Sequence, residues 1–365
     1  MTAPLPRAVL SQGAQPYPHR IAIVTDAWTP QMNGVVRTLT TTVEMLRARG
    51  HEVLVVAPDG FRSVPCPTYP DIRLALARPS KVAALLVDFA PDAIHIATEG
   101  PLGVLARRLC VRRRWPFTTA YHTQFPAYLA RRTHLPESLF WRYIAWFHRP
   151  AARIMVSTPS IEAELAAHGL ARTHRWSRGV DLAQFTPGAA PPPEFAALRR
   201  PILLCVGRVA VEKNIEAFLE SGYPGSKVVV GDGPALAGLR ARHPEALFLG
   251  RREGRALAGC YAGADVLVFP SRTDTFGLVI IEALACGTPV AGYPVAGPID
   301  IVGESCGALS PDLDRAIDAA LLCERGACAA GAGAFTWDAA TDQFVAGLVD
   351  VPAEAAMPQR LPCGG

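Results

Sequence analysis

The segment ADVLVFPSRTDTFGLVIIEALACGTPV, Ala264–Val290, decides how the chain folds. Its opening run to Pro270 is apolar and β-branched, the pattern of a short buried strand. Leu278 to Ala285 reads as a helix stopped at Cys286-Gly287, and Thr288-Pro289-Val290 opens another strand. After Asp265 at the strand start, two acids interrupt this apolar stretch. Asp274 falls in the loop, and Glu282 lies one turn into the helix on the face of Leu278. The amides of Thr275 to Leu278 form the exposed helix start between them.

Outward from this unit the same alternation recurs. RIAIVTD (Arg20–Asp26) is a strand ending in an acid, a helix follows from about Val35 to Arg49, and GHEVLVVAP (Gly50–Pro58) is the next strand. PDAIHIATEGPLG, RRWPFTTAYHTQFPAYL and ARIMVSTPS each end an apolar strand in a polar loop. FTPGAAPPPEFAALRR (Phe185–Arg200) has the composition of a linker. The pattern then restarts with PILLCVGRV, KVVVGDG, ALFLG and ADVLVFP. The expected class is therefore α/β, with two doubly wound, Rossmann-like domains. The boundaries read as 19–185, a linker at 186–200, and 201–335, with a last amphipathic helix over 336–350 crossing back onto the first domain. Residues 1–18 read as an arm and 351–365 as a tail.

Composition agrees with two domains. The chain has 365 residues, 50% hydrophobic and 19% charged, which gives ample core and excludes a disordered polymer. Net charge is only +4, but Arg107, Arg108, Arg112, Arg113, Arg114, Arg131, Arg132, Arg142, Arg149 and Arg153 crowd the first half. A basic face of that kind suits an anionic surface. The nine cysteines contain no CxxC pair, and reduced thiols are expected. No apolar run approaches the roughly 18 residues that a membrane span requires.

Open parallel sheets bind ligands at the carboxyl ends of their strands, and the polar motifs fall there. Asn33 and Gly34 begin the first helix, where free amides suit a phosphate. In VGRVAVEKN (Val206–Asn214), Gly207 turns after a strand, and Arg208 and Lys213 follow at a spacing that lets both converge on one diphosphate. GDGP (Gly231–Pro234) is a tight strand-to-loop turn, and Asp232 within it, like Gly207, is a candidate donor contact. His122 closes another strand, whereas His95 and His51 read as structural histidines.

Taken together, NGVVRTL, GHEVLVVAP, VGRVAVEKN, GDGP and SRTDTFGLVIIEALACGTPV resemble the family 4 glycosyltransferases, retaining enzymes of the GT-B fold, over about Arg20 to Val349. YHTQFP and WSRGVDLAQFTP resemble the branch that mannosylates phosphatidylinositol or sugars diacylglycerol in bacteria. The acid pair matches the family's signature with Asp at the first position, where Glu is commoner. The resemblance implies two domains facing across a cleft, acceptor in the first and a UDP- or GDP-linked sugar in the second. It implies that Glu282 takes the ribose hydroxyls and Asp274 the donor sugar. The amides near Phe276, Gly277 and Leu278 would meet the phosphates, Arg208 and Lys213 would neutralise the diphosphate in place of a metal, and His122 would orient the sugar. No cofactor, metal or nucleic acid is expected. The acceptor is expected to be a lipid or a glycan, and the enzyme cytoplasmic and peripheral on the inner face of the plasma membrane, with an anionic membrane surface as partner. A sugar-nucleotide epimerase on the same architecture, or a non-catalytic sugar-nucleotide-binding protein, are the alternatives.

Overall fold

The computed structural model describes residues 20–352 except 32, 67–68, 123, 125, 127–132 and 134. The arm over 1–18, Arg131–Arg132 and the tail past 352 lie outside the described residues. Eight strands occupy the first half: β1 (Arg20–Val24), β2 (Glu52–Val56), β3 (Ser63–Cys66), β4 (Tyr69–Ala75), β5 (Ala93–Ile96), β6 (Thr118–Ala120), β7 (Arg153–Val156) and β8 (Thr173–Arg175). Six follow in the second: β9 (Ile202–Val206), β10 (Ser226–Val230), β11 (Leu247–Gly250), β12 (Val266–Phe269), β13 (Val290–Gly292) and β14 (Gly307–Leu309).

They form two parallel six-stranded sheets, ordered β2-β1-β5-β6-β7-β8 and β11-β10-β9-β12-β13-β14. Each is doubly wound, and the strand residues show why. In β9, Ile202 and Leu204 join one buried cluster while Leu203 and Cys205 join the cluster on the opposite face. In β1, Ala22 and Val24 face one way and Ile21 and Ile23 the other. Side chains alternate across a strand, so an unbroken apolar run buries both faces only beneath two layers of helices.

In each sheet the chain runs outward, returns, and continues on the other side. The switch points fall between β1 and β5 and between β9 and β12, and crevices open there beyond the strand ends. The β3–β4 hairpin stands outside both sheets.

The stretch over 186–200 is not a free linker. Phe195 is buried in the second domain's core, as are Val180 and Phe185 before it, so the chain enters that domain's packing ahead of the Phe185 boundary. Prolines set its local path, but Phe195 anchors it. The last helix, Trp337–Gly347, lies on the first domain, with Phe344 and Val345 in the cluster that contains Leu39 and Leu46. Each such buried side chain contributes about 1.5–3 kcal/mol. The pairs from Arg49 to Asp338 and Asp342, at 2.8 and 2.6 Å, are partly exposed and add little beside that. Cys110, Cys205, Cys260, Cys286, Cys306, Cys323 and Cys328 are free thiols, all but Cys323 buried. Among the described residues no helix is long and apolar enough to cross a membrane.

Candidate active site

Three helix starts border the cleft, and their capping separates them. Asn33 spends its side-chain oxygen on the amides of Val35 and Val36, both at 3.0 Å. Those two amides thus have an acceptor from their own N-cap residue. The start of the Pro101–Arg113 helix is filled by Asp26 from the end of β1. Its carboxylate accepts from Leu102 N at 2.9 Å and Gly103 N at 3.3 Å. Burial raises the pKa of Asp26 to about 6, against the pull of those bonds. The third start, that of the Leu278–Ala285 helix, has no side-chain cap, and Gly277 enters it at a φ of 91°. That start keeps its amides open to an anion.

Lys213 stands beside it. The 3-10 turn Val211–Lys213 follows β9, and Asn214 anchors the turn by donating from Nδ2 to the Pro270 carbonyl at 3.0 Å. Lys213 Nζ lies 2.7 and 2.8 Å from the two oxygens of Asp274, bridging the loops after β9 and β12 across the switch point. Arg208 is half-buried in the same loop, just after Gly207. The GDGP turn backs this loop from β10. Asp232 gives its backbone oxygen to Val209 N at 2.9 Å and its carboxylate to Gly233 N at 2.7 Å. Asp232 thereby shapes the turn.

The loop Asp274–Gly277 forms the seam between the domains. Thr275 donates from Oγ1 to the His122 carbonyl at 2.6 Å, and Ser157 Oγ donates to the Thr275 carbonyl at 2.9 Å. Phe276 is buried against Phe335, ring centroids 5.9 Å apart. Ser160, at the start of the Pro159–Ala167 helix, bonds Asp300 of the second domain through both its amide and its hydroxyl. Asp274 and His122, from different domains, thus come to adjoining positions.

Glu282 differs from expectation. It is 2% exposed, ion-paired with Arg37 Nη1 of the first domain and accepting from Tyr261 OH at 2.8 Å. The helix beginning at Gly34 approaches the helix beginning at Leu278 at its first turn: a Cβ on Gly34 would lie 3.6 Å from Leu278 Cδ1, and Arg37 follows one turn later to meet Glu282. Burial raises the Glu282 pKa, and Arg37 opposes that shift. The acid read as a ribose ligand is also a clasp between domains. Arg37 and Tyr261 were missed, although Arg37 stands within the quoted NGVVRTL motif.

His122 is buried. Its Nδ1 lies 3.0 Å from Arg178 Nη2, and its Nε2 has no partner among the described residues. Burial, then the adjacent Arg178, holds its pKa well below the ordinary histidine value. Ser271 Oγ, just after β12, is likewise buried without a partner among the described residues. His95 is a core residue, 2.9 Å from Thr118 Oγ1 through Nδ1, and burial lowers its pKa to about 3.

Two doubly wound domains joined at their strand ends, with a cation–carboxylate pair beside an uncapped helix start, define a nucleotide-sugar-dependent glycosyltransferase of the GT-B fold. The chain belongs to glycosyltransferase family 4. Residues 32–184 match the model described as Glycosyltransferase Family 4, and residues 200–323 match Glycosyl transferases group 1. A GDP-mannose-dependent alpha-mannosyltransferase of Mycobacterium tuberculosis is 35% identical over 78% of this chain and 81% of its own length. The alpha-monoglucosyldiacylglycerol synthase of Streptococcus pneumoniae is 26% identical over 75% of this chain and 71% of its own length. Sucrose-phosphate synthase from Thermosynechococcus elongatus shares the fold, with a TM-score of 0.73 at 22% identity over 89% of this chain and 97% of that one. These relatives speak for transfer and not for epimerisation.

Proposed function

We propose that the protein moves mannose from GDP-mannose to a hydroxyl of a membrane lipid, with retention at the anomeric carbon. The observation that carries this is the Lys213–Asp274 pair beside the uncapped helix start at Gly277. A diphosphate entering there meets the amides of Phe276, Gly277 and Leu278 and draws Lys213 and Arg208 to its charge. Asp274 then turns to a hydroxyl of the sugar. Both cations act on the leaving group, where charge develops, so the phosphate serves as its own proton acceptor from the incoming hydroxyl. No metal and no cofactor are required. The mannosyltransferase relative supports the GDP-linked donor. A thermal-shift panel of GDP-, UDP- and ADP-sugars tests it, because the true donor raises Tm most by mass action.

Glu282 takes the ribose in this reading. Glu282→Gln keeps the shape and an acceptor for Tyr261 but removes the charge under Arg37. The donor KM should rise about tenfold, the equivalent of one charge-assisted bond, with kcat nearly unchanged. A lower kcat at unchanged donor KM would place Glu282 in the chemical step instead.

The acceptor side rests on the Glu137–His148 helix. Trp141, Ile144 and Phe147 face the core, while Leu139, Tyr143 and Trp146 are 48%, 42% and 40% exposed along one stripe, with Arg142 and Arg149 exposed beside them. Arg107 is not part of the open basic face. It is buried, capping the end of this helix through the Phe147 carbonyl at 2.9 Å and stacking 3.9 Å from the Trp146 ring. Exposed Arg108, Val111 and Arg112 line a groove of about 320 Å³ next to it. Among the described residues no carboxylate pairs with Arg108, Arg112 or Arg142. Aromatic anchors beside unpaired cations suit an anionic membrane interface. Tyr143 also reaches the cleft rim, donating to the Glu99 carbonyl at the end of β5. The synthase relative supports a lipid acceptor. Each cation near an anionic surface adds about 1 kcal/mol, so the protein should sediment with phosphatidylglycerol-containing vesicles at low salt and release at high salt. No sedimentation at low salt, together with efficient transfer to a soluble sugar, would overturn the membrane reading while leaving the glycosyltransferase intact.

A further inference from the structure

Arg178 is the one buried cation whose purpose the roles above do not explain. It follows β8 in the stretch WSRGVD and is 5% exposed. Its Nη1 donates to the carbonyls of Trp176 at 2.7 Å and Ser177 at 3.0 Å, and its guanidinium lies 4.7 Å from the centre of the Trp176 ring. Its remaining bond runs from Nη2 to His122 Nδ1 at 3.0 Å. No carboxylate pairs with it among the described residues, and burial alone lowers its pKa to about 9. Desolvating a guanidinium without an anion is costly. Two carbonyls and a ring face are modest compensation, and a Met or Leu would fill the same space at less cost.

The His122 contact is informative because a guanidinium has donors and no acceptor. Nδ1 must therefore be the unprotonated nitrogen, and a neutral ring then carries its proton on Nε2. That Nε2 is the buried atom without a partner. His122 is 9% exposed, and its carbonyl holds Thr275, the residue after Asp274. The groups facing the ring are Arg178, the Trp176 indole at 5.5 Å between centroids, and His95 and His148 at longer range. All three charged or titratable neighbours oppose an imidazolium.

We propose that Arg178 is a positioning residue for glycosyl transfer, fixing His122 as the neutral Nε2–H tautomer so that the ring donates a hydrogen bond to the sugar held at Asp274. This rests on the glycosyltransferase reading of the site. One consequence is mechanistic. With its proton on Nε2 and its Nδ1 occupied, His122 has no nitrogen left to take the acceptor's proton, so it is a donor to the sugar and not a general base.

The test combines ring-15N histidine spectra of the full chain with a double-mutant cycle. The His122 resonances are identified by their loss in His122→Gln. They should show a protonated Nε2 and a bare Nδ1. Arg178→Met should lower kcat about 10–100-fold, the usual cost of losing the partner that orients a functional histidine, with donor KM within about twofold. In the His122→Gln background the same substitution should cost less than about threefold, because a residue acting only through His122 has nothing left to lose. Arg178→Lys keeps a donor near Nδ1 and should retain the tautomer and recover much of kcat, which covers the case in which the Met variant folds poorly. An imidazolium or an Nδ1–H ring in the wild type would overturn the proposal. So would full additivity of Arg178→Met and His122→Gln, which marks a purely structural arginine. The spectra read the tautomer without any substrate, so failure to find the right donor leaves this arm decisive.

Discussion

Lys213→Ala is expected to lower turnover about 10²–10³-fold, the range for removing one preorganised charge donor from a developing anion. The lysine is placed before any donor arrives. Its turn is pinned through Asn214 to the Pro270 carbonyl, and its ammonium already bridges the loops after β9 and β12. An interaction that strengthens as the diphosphate leaves acts on the transition state, so kcat and kcat/KM should fall together. Stability should change by under about 1 kcal/mol, because the Lys213–Asp274 pair is partly open to solvent, at 30% and 21% exposure. Arg208→Ala should behave alike. Turnover measured with saturating donor, beside circular dichroism to confirm folding, checks both. Near-normal turnover in both variants would move the diphosphate elsewhere.

The two halves, the strand-end placement of the motifs and the family were legible because each rests on local pattern. Apolar runs of four or five residues mark buried strands, and the loops after them carry Gly207, Lys213 and Asp274. What escaped depended on partners distant in sequence. Glu282 reads only as a ribose ligand until Arg37, 245 positions away, is seen against it. Arg178 carries no periodic or spacing signal, and its importance lies in a single bond to His122, 56 positions earlier. The β3–β4 hairpin, with prolines inside both strands, and β14, three residues long, fall below what alternation can resolve. The split of the aromatic helix into a buried and an exposed side was likewise undecidable from its sequence, because apolar residues occupy both faces.

The other large effect is expected at Gly231, in the GDGP turn. Its φ is 146°, and a Cβ there would lie 1.8 Å from the Gly207 carbonyl oxygen and 2.9 Å from its carbon. Both obstacles are backbone, so no side chain can swing away. The contact cannot be relieved by a small shift either, because Gly231 N donates to Gly250 O at 2.9 Å and Gly207 N to Val230 O at 3.0 Å, locking the three strand ends together. Gly231→Ala must therefore part the loop carrying Arg208 and Lys213 from its backing, and should destabilise the protein by more than about 4 kcal/mol. Gly207→Ala is the control. Gly207 has φ 148°, yet a Cβ there meets nothing within 4 Å, so only backbone strain of about 1–3 kcal/mol is expected. Urea unfolding midpoints of the two variants separate the effects. Gly231→Ala should lose most of its stability and its activity together. Gly207→Ala should fold and lose activity only as far as the donor must approach that open space. A Gly231→Ala protein within about 1 kcal/mol of the wild type would mean that the two loops do not meet as described, and that the diphosphate cations are held by something other than the GDGP turn.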